Sequence, residues 1–333
     1  MPLGITLTLF FLSLILSIIS SLVLARDLDK LSARFHFSEG IVGIVAALGA
    51  DTPEIAAAVT ALIAGQHDLG LGVVLGSNIF NLAALLGLSA VIAGEVRVKR
   101  TGLLFNGGVA LLVTVVVAAL LFGFISPLIS GILLGVLFIP YVVLLALHPL
   151  RVKQLALPNS IKRSLSDMLT SVSQDARKDQ TAPKASLNDL LAVVPTLVSI
   201  VVASIGMVNT AITLGATWHL SHVIIGTLIL ATLTGIPNMI TAVRLALHGR
   251  GAAVVSESLN SNTLNALSGI FLPVLILGLG TISGLTVFAL WWLLGMTVLV
   301  LVLASFQGGI SRWNGIVVIG LYCIFVGFIV FQR

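Results

Sequence analysis

Apolar stretches of about twenty residues follow one another from one end of the chain to the other, separated by short connections marked by glycine, proline or charge. A helix of that length crosses a hydrocarbon layer of roughly 30 Å. Lipid offers no partner for a free N–H or C=O, so a crossing segment must satisfy its backbone internally, as a helix does. Composition points the same way. With 58% hydrophobic and 9% charged residues and a mean hydropathy of +1.17, the chain lacks the polar groups that would cover a water-facing surface. The fold class expected is therefore an all-α membrane protein. Residues 2–25 carry no basic leader and no small-residue cleavage motif before Arg26, and are read as a retained first helix.

Ten crossings are predicted, over 2–25, 40–64, 70–94, 102–124, 127–147, 187–214, 220–247, 251–279, 281–304 and 312–331. Lysine and arginine test that count, because they are retained on the cytoplasmic side. Sixteen of the seventeen fall in connections that follow odd-numbered helices, and the remaining one is Arg333. This places the odd connections in the cytoplasm and both termini outside, in a multi-pass protein expected in the cell inner membrane. The formal net charge of +5 is thus a topology signal and predicts no nucleic-acid partner. Membrane lipids are the expected surroundings. A central segment, 148–186, divides the chain into halves at 1–147 and 187–333. Within it Ile161, Leu165, Met168, Leu169 and Val172 recur at helical spacing, as in a helix on the inner membrane surface or a solvated linker helix.

Five crossings on each side of that segment require any repeat between the halves to be inverted. Adding 184 to the numbering pairs Pro53 with Pro237 and Gly65 with Gly249. The same offset pairs Ser77, Asn78 and Asn81 with Ser261, Asn262 and Asn265. Inverted repeats of this kind bind their substrate near mid-membrane, where the halves meet.

Gly49-Ala50-Asp51-Thr52-Pro53-Glu54 sets two acids in the middle of an otherwise apolar span. Each would cost roughly 2.5 kcal/mol or more at that depth unless it faced a polar cavity or an ion. Asp51 and Glu54 share a helix face, and Pro53 removes a backbone donor, freeing carbonyl oxygen one turn earlier. The residues offer oxygen ligands to a hard cation; two neutralised acids hydrogen-bonded within the bundle are the alternative. Ser77 and Asn81 lie four apart and add a hydroxyl and an amide oxygen. Glu257, four residues before Ser261, is read either as lining the inner entrance or compensating for an absent carboxylate at 238, or as snorkelling to the cytoplasmic interface or pairing with Arg244 or Arg250. Asn106, Asn209 and Thr210 are read as interhelical hydrogen-bonding residues, with a place along the ion pathway as the alternative.

Pro53-Glu54 followed by Gly76-Ser77-Asn78-Ile79-Phe80-Asn81 resembles the first alpha-repeat of the sodium/calcium exchanger superfamily. Thr234-Gly235-Ile236-Pro237-Asn238 with Ser261-Asn262-Thr263-Leu264-Asn265 resembles the second. The resemblance implies an exchanger-like fold of two inverted five-helix repeats and ion sites between them. It also implies a first and sixth helix that slide together to alternate access. Carried onto this chain, the ion ligands are Glu54, Asp51, Ser77, Asn81, Thr234, Asn238, Ser261 and Asn265. Three departures stand out: Asn238 and Asn265 occupy positions where the family commonly has acids, and Asn260 replaces a glycine. Asp51 is an acid gained.

The expected function is that of a secondary active cation antiporter and not an enzyme, moving Ca²⁺ or another cation in exchange for Na⁺ or H⁺, with no cofactor beyond the transported ions. Asp51 is the natural carrier if the coupling ion is a proton. A non-transporting, cation-sensing membrane protein on the same scaffold is the alternative, motivated by the missing acids. No Ser-Lys, Gly-Asp or His-Glu-x-x-His arrangement suggests intramembrane catalysis. The single Cys323 leaves no disulfide to form within the chain.

Overall fold

The structure, a computed structural model, describes residues 2–34, 39–146, 187–278 and 280–332. These form ten long helices: α1 (Leu3–Arg34), α2 (Glu39–Ile63), α3 (His67–Ala93), α4 (Arg100–Leu121), α5 (Pro127–Ala146), α6 (Leu187–Trp218), α7 (His222–Leu247), α8 (Gly251–Leu277), α9 (Gly284–Gln307) and α10 (Arg312–Phe331). Among the described residues, nine of them are long and apolar enough to span a bilayer. The tenth, α2, carries the two acids. The amphipathic segment expected within 148–186 lies outside the described residues.

Outward surfaces are apolar, as a lipid solvent requires. On α5, Leu128, Ile132, Val136, Ile139 and Val143 form one exposed stripe at helical spacing. The chain is an integral, multi-pass membrane protein.

The sequence offset of 184 recurs in the backbone. α1 and α6 begin and end 184 residues apart, as do α3 and α8, and α2 and α7 end at Ile63 and Leu247. Left-handed glycines terminate helices at matching positions, Gly65 with Gly249 and Gly94 with Gly278, all at positive φ that a side chain would strain. In α3 and α8 the helix widens into a π segment, Asn81–Leu88 in one and Asn265–Phe271 in the other. Each widening begins on a candidate ligand, and such segments are frequent at functional sites.

Contacts between connections show how the helices alternate in direction. After α3, strand β1 (Glu95–Arg97) pairs antiparallel with β2 (Gly309–Ser311), which follows α9. Beside them Gly251, following α7, lies so close to the Arg97 backbone that a Cβ there would overlap it. At the opposite end Asp68, opening α3, accepts hydrogen bonds from Ser283 N at 2.9 Å and Thr286 Oγ1 at 2.6 Å, at the start of α9. The connections after α3, α7 and α9 thus gather at one end, here the Arg250 end, and those after α2 and α8 at the other, the Asp68 end.

One predicted boundary is corrected. The first helix does not stop near residue 25 but runs to Arg34. Arg26, Leu28 and Lys30 are good helix formers, and Lys30 pairs with Asp27 one turn away at 3.2 Å. The two-stranded ribbon was not predicted, since each strand has only three residues, too few for a periodic pattern to register.

Candidate cation-binding site

The site is built on α2, α3, α7 and α8. Within α2, Pro53 has no N–H to offer the carbonyl one turn earlier, Gly49 O. That oxygen is not left open, as the sequence suggested: Ser21 Oγ on α1 donates to it at 3.0 Å and to Ala50 O at 3.2 Å. Gly49 permits the approach, since a Cβ would stand 3.0 Å from Ala25 Cα. The proline therefore couples α1 to the turn carrying the acids.

Where α3 meets α8, side chains exchange hydrogen bonds about a pseudo-twofold axis. Asn78 Nδ2 donates to Asn262 O and Asn262 Nδ2 to Asn78 O, both at 3.1 Å. Asn81 Nδ2 donates to Ser261 Oγ at 2.8 Å and to Asn262 Oδ1 at 3.1 Å. Its counterpart Asn265 Nδ2 donates to Ser77 Oγ at 3.4 Å and to Asn78 Oδ1 at 3.3 Å. Asn78 and Asn262 were not among the candidate ligands, although the repeated Ser-Asn-x-x-Asn motif contains both. Their identity at the same offset was the available signal.

The acids break the symmetry. Glu54 corresponds to Asn238, and Asp51 to Gly235. Asp51 Oδ1 accepts from Asn238 Nδ2 at 2.9 Å, across the boundary between the halves, with Ser261 beside the same carboxylate. Glu54 lies next to Thr234, whose hydroxyl donates to Leu230 O at 2.8 Å. No acid could occupy position 235, because a Cβ there would stand 2.8 Å from the Phe80 ring.

All eight candidate ligands are buried, with Asp51 1% and Glu54 0% exposed. Among the described residues, every buried carboxylate or carboxamide oxygen without a hydrogen-bond partner belongs to four of them: Asp51 Oδ2, both oxygens of Glu54, Asn81 Oδ1 and Asn265 Oδ1. Buried acceptors are nearly always paired, so these oxygens are free to accept from, or to ligate, a group that enters the site. With Asn81 and Asn265 donating through nitrogen, their oxygens remain available. No three His, Cys, Asp or Glu side chains converge among the described residues. The donor set is thus two carboxylates supplemented by amides and hydroxyls, suited to a hard cation.

Other polar residues are structural. Tyr141 on α5 brings its hydroxyl to the side-chain oxygen of Asn260 and within 3.1 Å of Asn106 Oδ1, so Asn106 does join helices. Thr210 instead donates to Gly206 O within its own helix, at 2.7 Å, and Asn209 is exposed. Ser20 and Ser199 share a hydrogen bond of 2.9 Å between α1 and α6, which pack along one another.

A family model described as sodium/calcium exchanger protein matches residues 5–147 and 189–331. The chain is 37% identical over 83 residues to CaxA of Alkalimonas amylolytica, a match covering 25% of this chain and 26% of that protein. With sodium/potassium/calcium exchanger 4 of Homo sapiens it shares 35% over 71 residues, 21% of this chain and 11% of the relative. With inner membrane protein YrbG of Escherichia coli it shares 27% over 273 residues, 80% and 79%. The first two matches therefore span about a quarter or less of the relatives' own length. Among solved structures, the sodium-calcium exchanger NCX_Mj superposes with a TM-score of 0.62 at 24% identity, covering 98% of this chain and 99% of that one. The H⁺/Ca²⁺ exchanger CAX gives 0.71 at 14%, covering 98% and 86%. These likenesses establish the fold.

Proposed function

Because the chain belongs to the sodium/calcium exchanger protein family, with both halves matched, we propose that it is a secondary cation antiporter working by alternating access. Ca²⁺ or another hard cation is exchanged for Na⁺ or H⁺. The observation that most supports this is the cluster of unpartnered buried oxygens on Asp51, Glu54, Asn81 and Asn265. Asp51 and Glu54 supply at most two negative charges, enough to balance one divalent ion. Ser77, Asn81, Thr234, Asn238, Ser261 and Asn265 complete its oxygen shell. Asn238 also holds Asp51 in place, which returns an acid to the second half's position from across the interface.

Access changes as α1 and α6 slide together over the four-helix core. The halves 1–147 and 187–333 are the two arms of the exchange, joined by 148–186. The protein is assigned to the inner membrane with its Arg250 end cytoplasmic and both termini outside, on the strength of the basic connections. Relatives named for sodium and for proton exchange make both coupling ions worth testing.

In proteoliposomes, Ca²⁺ flux driven by an outward Na⁺ gradient, compared with a pH gradient, identifies the coupling ion. Glu54→Gln is expected to abolish the flux. Absence of flux under either gradient, with Ca²⁺ binding retained, would move the protein to the cation-sensing alternative.

A further inference from the structure

The internal repeat supplies a control for judging which end of the molecule is open. α3 and α8 correspond residue for residue, and inversion places the first half of α3 at the Asp68 end and the first half of α8 at the Arg250 end. From Leu69 to Phe80 every residue is buried. In the corresponding stretch of α8, Ala253, Ser256 and Glu257 remain partly accessible, whereas their counterparts Leu69, Gly72 and Val73 do not.

Residue size accounts for the difference. At the Asp68 end, glycines let α7 lie directly on α3: a Cβ on Gly72 would stand 3.4 Å from Gly226 Cα, and one on Gly76 would overlap the Thr227 backbone. Their counterparts at the Arg250 end are Ser256 and Asn260, which carry side chains. Asn260 Nδ2 donates to Ser256 Oγ at 3.2 Å and its oxygen meets the Tyr141 hydroxyl. Ser256 and Asn260 thus put side chains where α3 has bare backbone, while only the first residue of α8, Gly251, seats the Arg97 backbone directly.

Glu257 stands at that unzipped end, one turn before Ser261 on the same face of α8. Asp51 on α2 and Arg250 at the start of α8 lie within electrostatic reach of its carboxylate. No hydrogen bond or ion pair among the described residues engages Glu257. Deeper in, Asp51 is 1% exposed and its Oδ2 is unpartnered.

We propose that Glu257 is a further cation-contacting residue, the floor of a crevice open at the Arg250 end, which takes up a cation and passes it to Asp51. It does so while the Asp68 end is sealed by the glycine contact of α3 with α7. Glu257 raises the local concentration of cations at that end. This rests on the cation site assigned above.

Two measurements test it. In a Cys323→Ser background, Glu257→Cys and Val73→Cys are exposed to a polar maleimide in detergent, and the neighbouring pair Ala253→Cys and Leu69→Cys repeats the comparison should one variant fail to fold. Labelling at 257 and 253 with protection at 73 and 69 is expected; equal labelling, or the reverse, overturns the one-sided crevice. In calorimetric titration with Ca²⁺ alone, Glu257→Gln should raise Kd about threefold to tenfold, with Glu257→Asp recovering most of it. An unchanged Kd in both variants, beside a wild type that binds, overturns the role of Glu257 and leaves the central site standing. A wild type that binds neither Ca²⁺ nor Na⁺ overturns both together.

Discussion

Asn78 and Asn262, 184 residues apart, each donate a carboxamide hydrogen to the other's main-chain carbonyl at 3.1 Å. The pair lies on the axis relating the two halves, so one residue type placed once per half makes two bonds that no other pairing in either half could satisfy. In a bilayer, where apolar faces gain little by meeting each other rather than lipid, such bonds fix where two helices cross.

Asn78→Ala and Asn262→Ala should each lower stability by about 1–3 kcal/mol, because each leaves buried partners unpaired. The double variant should lose clearly less than the sum, as expected for residues in direct contact. Thermal denaturation of the purified protein measures all three. Strict additivity would mean that the two amides act independently.

Exchanging charge across the interface tests the rewiring at Asp51. Since Asp51 Oδ1 and Asn238 Nδ2 are 2.9 Å apart, Asp51→Asn should weaken Ca²⁺ binding about tenfold or more. Combining it with Asn238→Asp should bring Kd back to within about threefold of the wild type. Calorimetric titration decides. Failure of the double variant to recover would tie the acid to α2 itself.

Gly76→Ala should cost about 1–3 kcal/mol, since the new methyl overlaps the Thr227 backbone and must part α3 from α7. Gly108→Ala on α4 meets nothing within 4 Å and should be neutral or stabilising by about 0.5–1 kcal/mol. Melting curves of the two variants side by side check the contrast.

Ser21→Ala removes the donor to Gly49 O and should cost about 1 kcal/mol. In a Pro53→Ala background the restored backbone N–H can reach the same carbonyl, and the serine becomes dispensable. A Ser21→Ala penalty of equal size in both backgrounds would refute the link between proline and serine.

Most of the scaffold was legible because lipid imposes so few solutions: apolar length marked the helices, and the arginines and lysines marked alternate connections. The repeat was legible through rare residues, Pro53 with Pro237 and the two Ser-Asn-x-x-Asn motifs, and it led to eight side chains that the fold brings together. Geometry decided what pattern could not. Ser21 belongs to the site only because α1 passes the turn that Pro53 disrupts, a contact with no local signal. The π segments starting at Asn81 and Asn265 have no distinctive composition, and position 235 excludes an acid only because the Phe80 ring stands there. The first helix continues past Leu24 because charge halts burial in lipid but not helical hydrogen bonding.

The pairing of Glu95–Arg97 with Gly309–Ser311 joins polypeptide from the first half of the molecule to polypeptide near its finish. Six residues in register, reinforced by Arg312 Nε reaching Val91 O at 3.1 Å, act as a staple between the connection after α3 and the connection after α9. A motion that parts α3 and α4 from α9 and α10 would have to break this pairing, and lengthening the connection on either side of it should loosen the frame without touching a single ion-facing atom.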